Sequence, residues 1–385
     1  MLKRVCRLPP RRSALLLGPR QTGKSTLVRS LLPRRSWSVD LLQHDAFLRY
    51  SKEPERFRRE VEAQVRAGTR VVFVDEIQRV PALLEEIHGL IEAHRVRFLL
   101  TGSSARKLRR GAANLLAGRA ATRRLHPLTL AEQGGRFDLE RTLRYGSLPA
   151  VVTGSERDAR ELLASYAETY LREEVQAEAL VRNLGGFARF LDVVAAENGG
   201  IVNASAVARD AALAPRTVQE YYQILEDTLI GYRLEPWRHS PRARLVGHPR
   251  FYLFDTGVTN ALARRLGAPP DPVWRGRLFE QWVVLECARL LDYRQSEARL
   301  YYWRTHNGAE VDLLVERHGR LRLAVEIKSK RTVAGADLSG LRSFAEAHPR
   351  VRRLVVAEVA EPYRLGEVDV LPYRAFFDRL PRMIR

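Results

Sequence analysis

The chain has 385 residues and carries 65 lysines and arginines against 45 aspartates and glutamates, a formal charge of +20. With 45% hydrophobic and 29% charged residues it is neither wholly disordered nor membrane-spanning, because its apolar runs stop short of the ~20 residues a spanning helix needs. At roughly 150 residues per domain two or three domains are expected, and the basic excess points to a polyanion, although codon bias toward arginine and solvated helix faces would give the same sum.

Cys6 and Cys287 lie in unrelated segments outside any CxxC or Cys/His cluster, so no disulfide framework or zinc site is indicated. The basic start leads directly into a strand pattern without the apolar core of a signal peptide, and the chain is expected in the cytoplasm.

Residues 13 to 135 alternate short apolar runs (SALLLG, VVFVDE, RFLLTGSS) with amphipathic stretches such as PALLEEIHGLIEAH. That alternation predicts a parallel sheet flanked by helices. The first run ends in GPRQTGKS, beginning at Gly18, which matches GxxxxGK[ST] between a strand and a helix. Gly18, Gln21, Thr22, Gly23, Lys24, Ser25 and Thr26 are therefore the expected nucleotide ligands. The glycines let backbone N–H groups converge on the β-phosphate, Lys24 adds charge to the β- and γ-phosphates, and Ser25 can ligate Mg²⁺.

VVFVDE ends in two carboxylates. Asp75 is expected to hold Mg²⁺ through water, and Glu76 to orient the attacking water and act as base; a lone acidic strand end facing solvent would be the bland alternative. At the tip of RFLLTGSS, Thr101, Ser103 and Ser104 offer hydroxyls to the γ-phosphate or the lytic water, or simply cap the strand. Arg119 in LLAGRAATRRL ends a helix just before a strand, a place from which an arginine can enter a neighbouring protomer's site; Arg106 and Arg109 compete for that role.

From about 140 to 235 the pattern is helical. Asn203 is expected to cap a short helix ending near Arg209, and Pro215 to open a second with Val218, Tyr222, Leu225 and Leu229 on its apolar face. This predicts a helix-turn-helix, with YRLEPW and FYLFD as a wing. Arg216, Thr217 and Gln219 could meet phosphates or base edges, or the module could only pack subunits.

The last third returns to α/β. Glu280 lies in a long helix, Asp312 in the strand EVDLLV, and Glu326 and Lys328 in the strand AVEIK: the PD-(D/E)XK arrangement. Strand alternation puts Glu326 and Lys328 on one face, so that Glu280, Asp312 and Glu326 can bind Mg²⁺ or Mn²⁺ while Lys328 polarises water or stabilises the phosphorane. The Tyr301-Tyr302-Trp303 run reads as sheet core.

Taken together, GPRQTGKST, VDEIQ, LLTGSS, LAGR, YGSLP, FDTG and EVDLLV…EIK resemble the prokaryotic AAA+-like ATPases that carry a nuclease-fold domain at the C-terminus. The resemblance implies an AAA+-type P-loop ATPase domain over residues 1–135, a helical and winged-helix domain over 136–256 and a restriction-endonuclease-like α/β domain over 257–385. It also implies nucleotide between subunits of a homo-oligomer, a hexameric ring being one such assembly, with Arg119 acting on the neighbour. The expected activity is Mg²⁺-dependent ATP hydrolysis by a DNA-binding protein, coupled to a nuclease-fold domain that can act as a metal-dependent DNA endonuclease, branched DNA being one candidate substrate. The alternatives are an ATP-set signalling or defence switch whose C-terminal domain only docks, and a remodeller of proteins.

Overall fold

The computed structural model describes residues 2–104, 116, 118–170, 183–237 and 247–385, and every structural statement below concerns these. The chain divides into two compact units, one formed by residues 1–135, 148–153 and 222–230, the other by 136–147, 154–221 and 231–385.

The first unit is built on five parallel strands: β1 (Ser13–Leu17), β2 (Ser36–Asp40), β3 (Val71–Asp75), β4 (Arg97–Gly102) and β5 (Ala120–Arg124), in the order β2-β3-β4-β1-β5. β1 and β3 are buried at every position, which is why they read as unbroken apolar runs rather than alternating ones. Helices Lys24–Ser30, His44–Lys52, Pro54–Arg66 and Leu83–Ala93 form the crossovers and their continuations. Phe57, Val61, Leu83, Ile87 and Phe98 join one apolar core with the sheet, against which Leu229 also packs. Each such fully buried side chain contributes about 1.5–3 kcal/mol of transfer free energy. Because all five strands run the same way, the ends of β1, β3 and β4 open onto one edge, where loops can collect ligands.

The second unit carries eight strands in the order β12-β13-β11-β10-β9-β8-β6-β7. They are β6 (Gly231–Pro236), β7 (Arg250–Leu253), β8 (Arg299–Arg304), β9 (Glu310–Arg317), β10 (Arg320–Lys328), β11 (Arg352–Ala357), β12 (Tyr363–Leu365) and β13 (Val368–Pro372). In the segment read as a helix-turn-helix, the Asn203 side chain accepts the Ala206 N–H at 3.1 Å, Ala212 turns the chain at φ 51°, and helix Pro215–Asp227 follows. The wing needs correction. β6 and β7 do pair antiparallel, but β6 continues into β8 through Glu235↔Tyr301 and Pro236↔Tyr302, so the hairpin is the margin of the large sheet. Tyr302 and Trp303 are buried in that sheet, as their apolar rings demand.

Two of the quoted sequence elements, YGSLP and FDTG, form a joint in this unit. The fully buried Asp255 carboxylate accepts N–H groups from Ser147 at 2.8 Å, Gly257 at 2.9 Å and Val258 at 3.3 Å. A Cβ on Gly146 would collide with that carboxylate, and one on Gly257 with the Tyr145 carbonyl. Gly146 also sits at φ 78°. Gly146→Ala combines a left-handed backbone with overpacking and should destabilise the second unit by at least about 2 kcal/mol. Chemical denaturation would show a lowered midpoint, and an unchanged one would refute the joint.

Candidate functional site

At the open edge of the first sheet, the chain between β1 and helix Lys24–Ser30 wraps into a concave loop. Gln21 at φ 62° and Gly23 at φ 88° are both left-handed, turning successive N–H groups inward as an anion-binding nest. Gly18 lies so close to the Leu125 carbonyl that a Cβ there would collide with it, and its N–H donates to Gly102 O at 3.2 Å. Thr22 is buried and its hydroxyl braces the loop on Pro19 O at 2.9 Å. The Lys24 ammonium, also buried, donates to Gly18 O at 2.9 Å and Pro19 O at 3.0 Å.

The sequence-predicted acidic residues come to this loop. The Ser25 hydroxyl donates to Asp75 Oδ1 at 2.8 Å, and the Thr101 hydroxyl donates to the same oxygen. Asp75 is 1% exposed, and burial pushes its carboxyl above the usual range against the opposing pull of these two hydroxyls. β4 lies between β1 and β3, so Thr101 stands between the phosphate loop and the acidic strand; it also accepts the Glu76 N–H at 3.1 Å. Glu76 itself has a left-handed backbone, φ 58° and ψ 48°, which turns the chain sharply out of β3.

Gln78 is the residue that the sequence reading passed over. Its amide donates to Glu76 Oε2 and, at 2.9 Å, to Ser103 Oγ, while the Ser103 hydroxyl reaches Glu76 Oε2 at 3.4 Å. Glu76, Gln78 and Ser103 thus form one network. Among the described residues, Gln78 Oε1 and Ser104 Oγ are buried with no hydrogen-bond partner. Beside the loop opens an apolar cleft of ≈ 660 Å³, walled by Leu2, Cys6, Leu8, Thr26, Leu27 and Pro149 among others. Arg4 fastens the N-terminal wall by donating to Thr22 O at 2.7 Å and His126 O at 2.6 Å. Arg119 lies apart from this network, partly exposed and paired with Glu92. Arg106 and Arg109 fall outside the described residues.

In the second unit, Glu280, Asp312, Glu326 and Lys328 also lie close together. The β9–β10 register runs to Leu313↔Val325, so Asp312 and Glu326 are the next residues along, and the Asp312 carboxylate accepts the Ile327 N–H at 2.8 Å. Lys328 donates to Glu326 Oε1 at 2.6 Å. Between Glu280 and Asp312 stands the guanidinium of Arg250, with Nη1 at 2.7 Å from Glu280 Oε1 and 3.7 Å from Asp312 Oδ1, and Nη2 on Glu310. Among the described residues no group of three or more His, Cys, Asp or Glu side chains is arranged to hold a metal ion. Glu280, Asp312 and Glu326, the expected Mg²⁺ or Mn²⁺ ligands, thus have a buried cation of the chain, Arg250, beside them.

Residues 10–133 match the family model described as AAA domain. Residues 136–269 and 275–376 match two models described as domains of unknown function, DUF8612 and DUF4143. An uncharacterized protein of Mycobacterium tuberculosis is 29% identical over 313 residues, which is 80% of this chain and 68% of that one. One of Haemophilus influenzae is 21% identical over 279 residues, 66% of this chain and 70% of that one. Among solved structures, the ORC1 protein of Aeropyrum pernix in complex with DNA is similar at 14% identity and a TM-score of 0.33, covering 66% of this chain and 86% of that one. Can2 of Sulfobacillus thermosulfidooxidans, in complex with cyclic tetra-adenylate, is similar at 10% identity and a TM-score of 0.23, covering 97% and 99%. Likenesses this weak carry no argument. The AAA-domain match, by contrast, coincides with the loop and the acidic strand, and that part of the chain is a P-loop ATPase domain of the AAA type.

Gln78 donates to the Glu76 carboxylate and so fixes its orientation. Gln78→Ala should lower kcat for ATP hydrolysis about tenfold, the loss of about 1–2 kcal/mol for a hydrogen bond to a charged group, with little change in KM. Steady-state kinetics with an unchanged kcat would remove Gln78 from the machinery.

Proposed function

We propose that the chain is a Mg²⁺-dependent ATP phosphohydrolase that binds DNA and works as a homo-oligomer. The observation that supports hydrolysis most directly is the Ser25–Asp75 hydrogen bond of 2.8 Å, which brings the loop hydroxyl and the acidic strand end together with Glu76 adjoining. Mg²⁺ held by Ser25 and Asp75 would neutralise phosphate charge. The nest of N–H groups binds the phosphates, and Lys24 exchanges its loop carbonyls for phosphate oxygens. Glu76 orients water for in-line attack on the γ-phosphorus and receives its proton, held in place by Gln78 and Ser103. The apolar cleft beside Thr26 and Leu27 receives the adenine base. Arg119, whose screened pair with Glu92 yields easily to a stronger anion, serves the phosphates of a neighbouring protomer.

Lys24 acts in binding and Glu76 in chemistry, so their losses should differ. Lys24→Ala is expected to weaken ATP binding at least tenfold, whereas Glu76→Gln retains binding and loses at least 100-fold in turnover. Equilibrium binding of a fluorescent ATP analogue beside single-turnover hydrolysis separates the two; Glu76→Gln hydrolysing at the wild-type rate would dismiss Glu76 as the base.

DNA is the partner that the charge of +20 supports, through sequence-independent attraction to the phosphate backbone. At the start of helix Pro215–Asp227, Arg216 is 90% exposed at its side chain and paired with Glu220 at 3.5 Å, leaving it accessible to phosphate. Phosphodiester cleavage forms no part of this proposal, since Arg250 stands among the carboxylates that cleavage would need. Fluorescence anisotropy with duplex, forked and single-stranded DNA should show affinity falling by ~10³-fold or more between 50 and 200 mM salt for six or more phosphate contacts. Binding undetectable at 50 mM salt, with and without ATP, would instead favour a nucleotide-set switch with a protein partner.

A further inference from the structure

We propose that the Arg250 guanidinium is the resident cation of the second unit: it occupies the place among Glu280, Glu310 and Asp312 that a divalent ion would take, so this cluster binds no metal unless the arginine is removed. The arrangement gathers acids around an arginine rather than around an ion. Three carboxylates from two elements, helix Pro272–Tyr293 and β9, point at one centre, and that centre lies in the described second unit against β10. What fills it is the planar cation of β7, whose two terminal nitrogens divide the three acids between them.

The arginine is built in. Its side chain is 7% exposed, the Tyr302 ring lies 5.2 Å from the guanidinium carbon, and Nη1 is 3.4 Å from the Tyr252 hydroxyl. That hydroxyl in turn donates to Glu280 Oε1 at 2.7 Å. The β7 backbone is held on both sides, pairing with β6 and bridging Arg250 to Ile201. A buried guanidinium returned to this position by ring, strand and acids alike does not swing aside for a competing ion.

The carboxylates, for their part, have little left to offer a metal. Glu280 Oε1 accepts from Arg250 and Tyr252, Asp312 Oδ2 from the Ile327 N–H, and Glu326 Oε1 from Lys328. Glu310 is shared by Arg250 and by Arg304 at 3.3 Å. Three cations of the chain, Arg250, Arg304 and Lys328, therefore stand among the four carboxylates. Glu326 Oε2 is the one oxygen of this set that is buried without a hydrogen-bond partner.

The test uses Mn²⁺ alone, added to the full chain without nucleotide and followed by electron paramagnetic resonance of the free ion. Wild type and Asp312→Asn should bind the same small amount of Mn²⁺, whatever the P-loop contributes to both. Arg250→Gln should gain one Mn²⁺ per chain, and the gain should vanish in Arg250→Gln combined with Asp312→Asn. Mn²⁺ binding by wild type that is lost in Asp312→Asn would overturn the proposal, and that comparison stands even if Arg250→Gln does not fold. Folded Arg250→Gln that gains no Mn²⁺ would overturn it equally. None of these outcomes depends on whether the first unit hydrolyses ATP.

Discussion

The buried carboxylate of Asp75 holds the nucleotide end of the molecule together. It is 1% exposed, yet it carries a hydroxyl from the phosphate loop and another from the strand lying between β1 and β3. Those two bonds tie the ends of β3 and β4 to the first turn of helix Lys24–Ser30, and everything that follows in the site is spaced from them. The Glu76 amide hangs on Thr101, its carboxylate is steered by Gln78 and Ser103, and the loop is braced by Thr22 and by Gly102. A buried polar group is tolerated only when its partners are supplied, and here each partner is itself a functional group.

Much of this end could be read from the sequence because its determinants are local. Gly18, Gly23, Lys24 and Ser25 are close neighbours in one loop, and Asp75 and Glu76 end an apolar run whose burial on both faces explains its composition. Gln78 was not legible. Nothing in the spacing separates a glutamine that aims a carboxylate from one that faces solvent, and the 3₁₀ turn that folds it back depends on the left-handed conformation of Glu76. The hairpin of β6 and β7 was misread for a different reason: the local alternation of a wing and of a sheet margin is the same, and only the distant partners Tyr301 and Tyr302 decide between them. Gly146 and Gly257 could be noticed as parts of short elements, but their mutual packing over Asp255 spans more than a hundred residues and has no local sign.

In the second unit the sequence indicates which carboxylates gather but not what else stands among them. Glu280, Asp312, Glu326 and Lys328 do come together, and the strands that carry Asp312 and Glu326 are neighbours with the register the motif requires. The decisive residue, Arg250, enters from the strand at the far margin of the sheet order and was one arginine among very many. It joins β7, the long helix and β9 in one network of buried ion pairs. A buried ion pair of this kind contributes little net stability against an apolar replacement, but losing one partner strands the others in low dielectric, so the set survives or falls together.

The two margins of the eight-stranded sheet are both short: β12 has three residues and β7 has four. β12 carries Arg364 in its middle, and part of the open side of β7 is taken up by the bridge from Ile201 to Arg250. Unpaired strand edges invite a second chain to add its own strand, and brevity and charge are the usual defences. With both ends so blunted, the eight-stranded sheet offers, among the described residues, no long edge on which a second copy could extend it. A partner that meets this sheet meets its side-chain surfaces, where contacts can exchange without rearranging backbone hydrogen bonds.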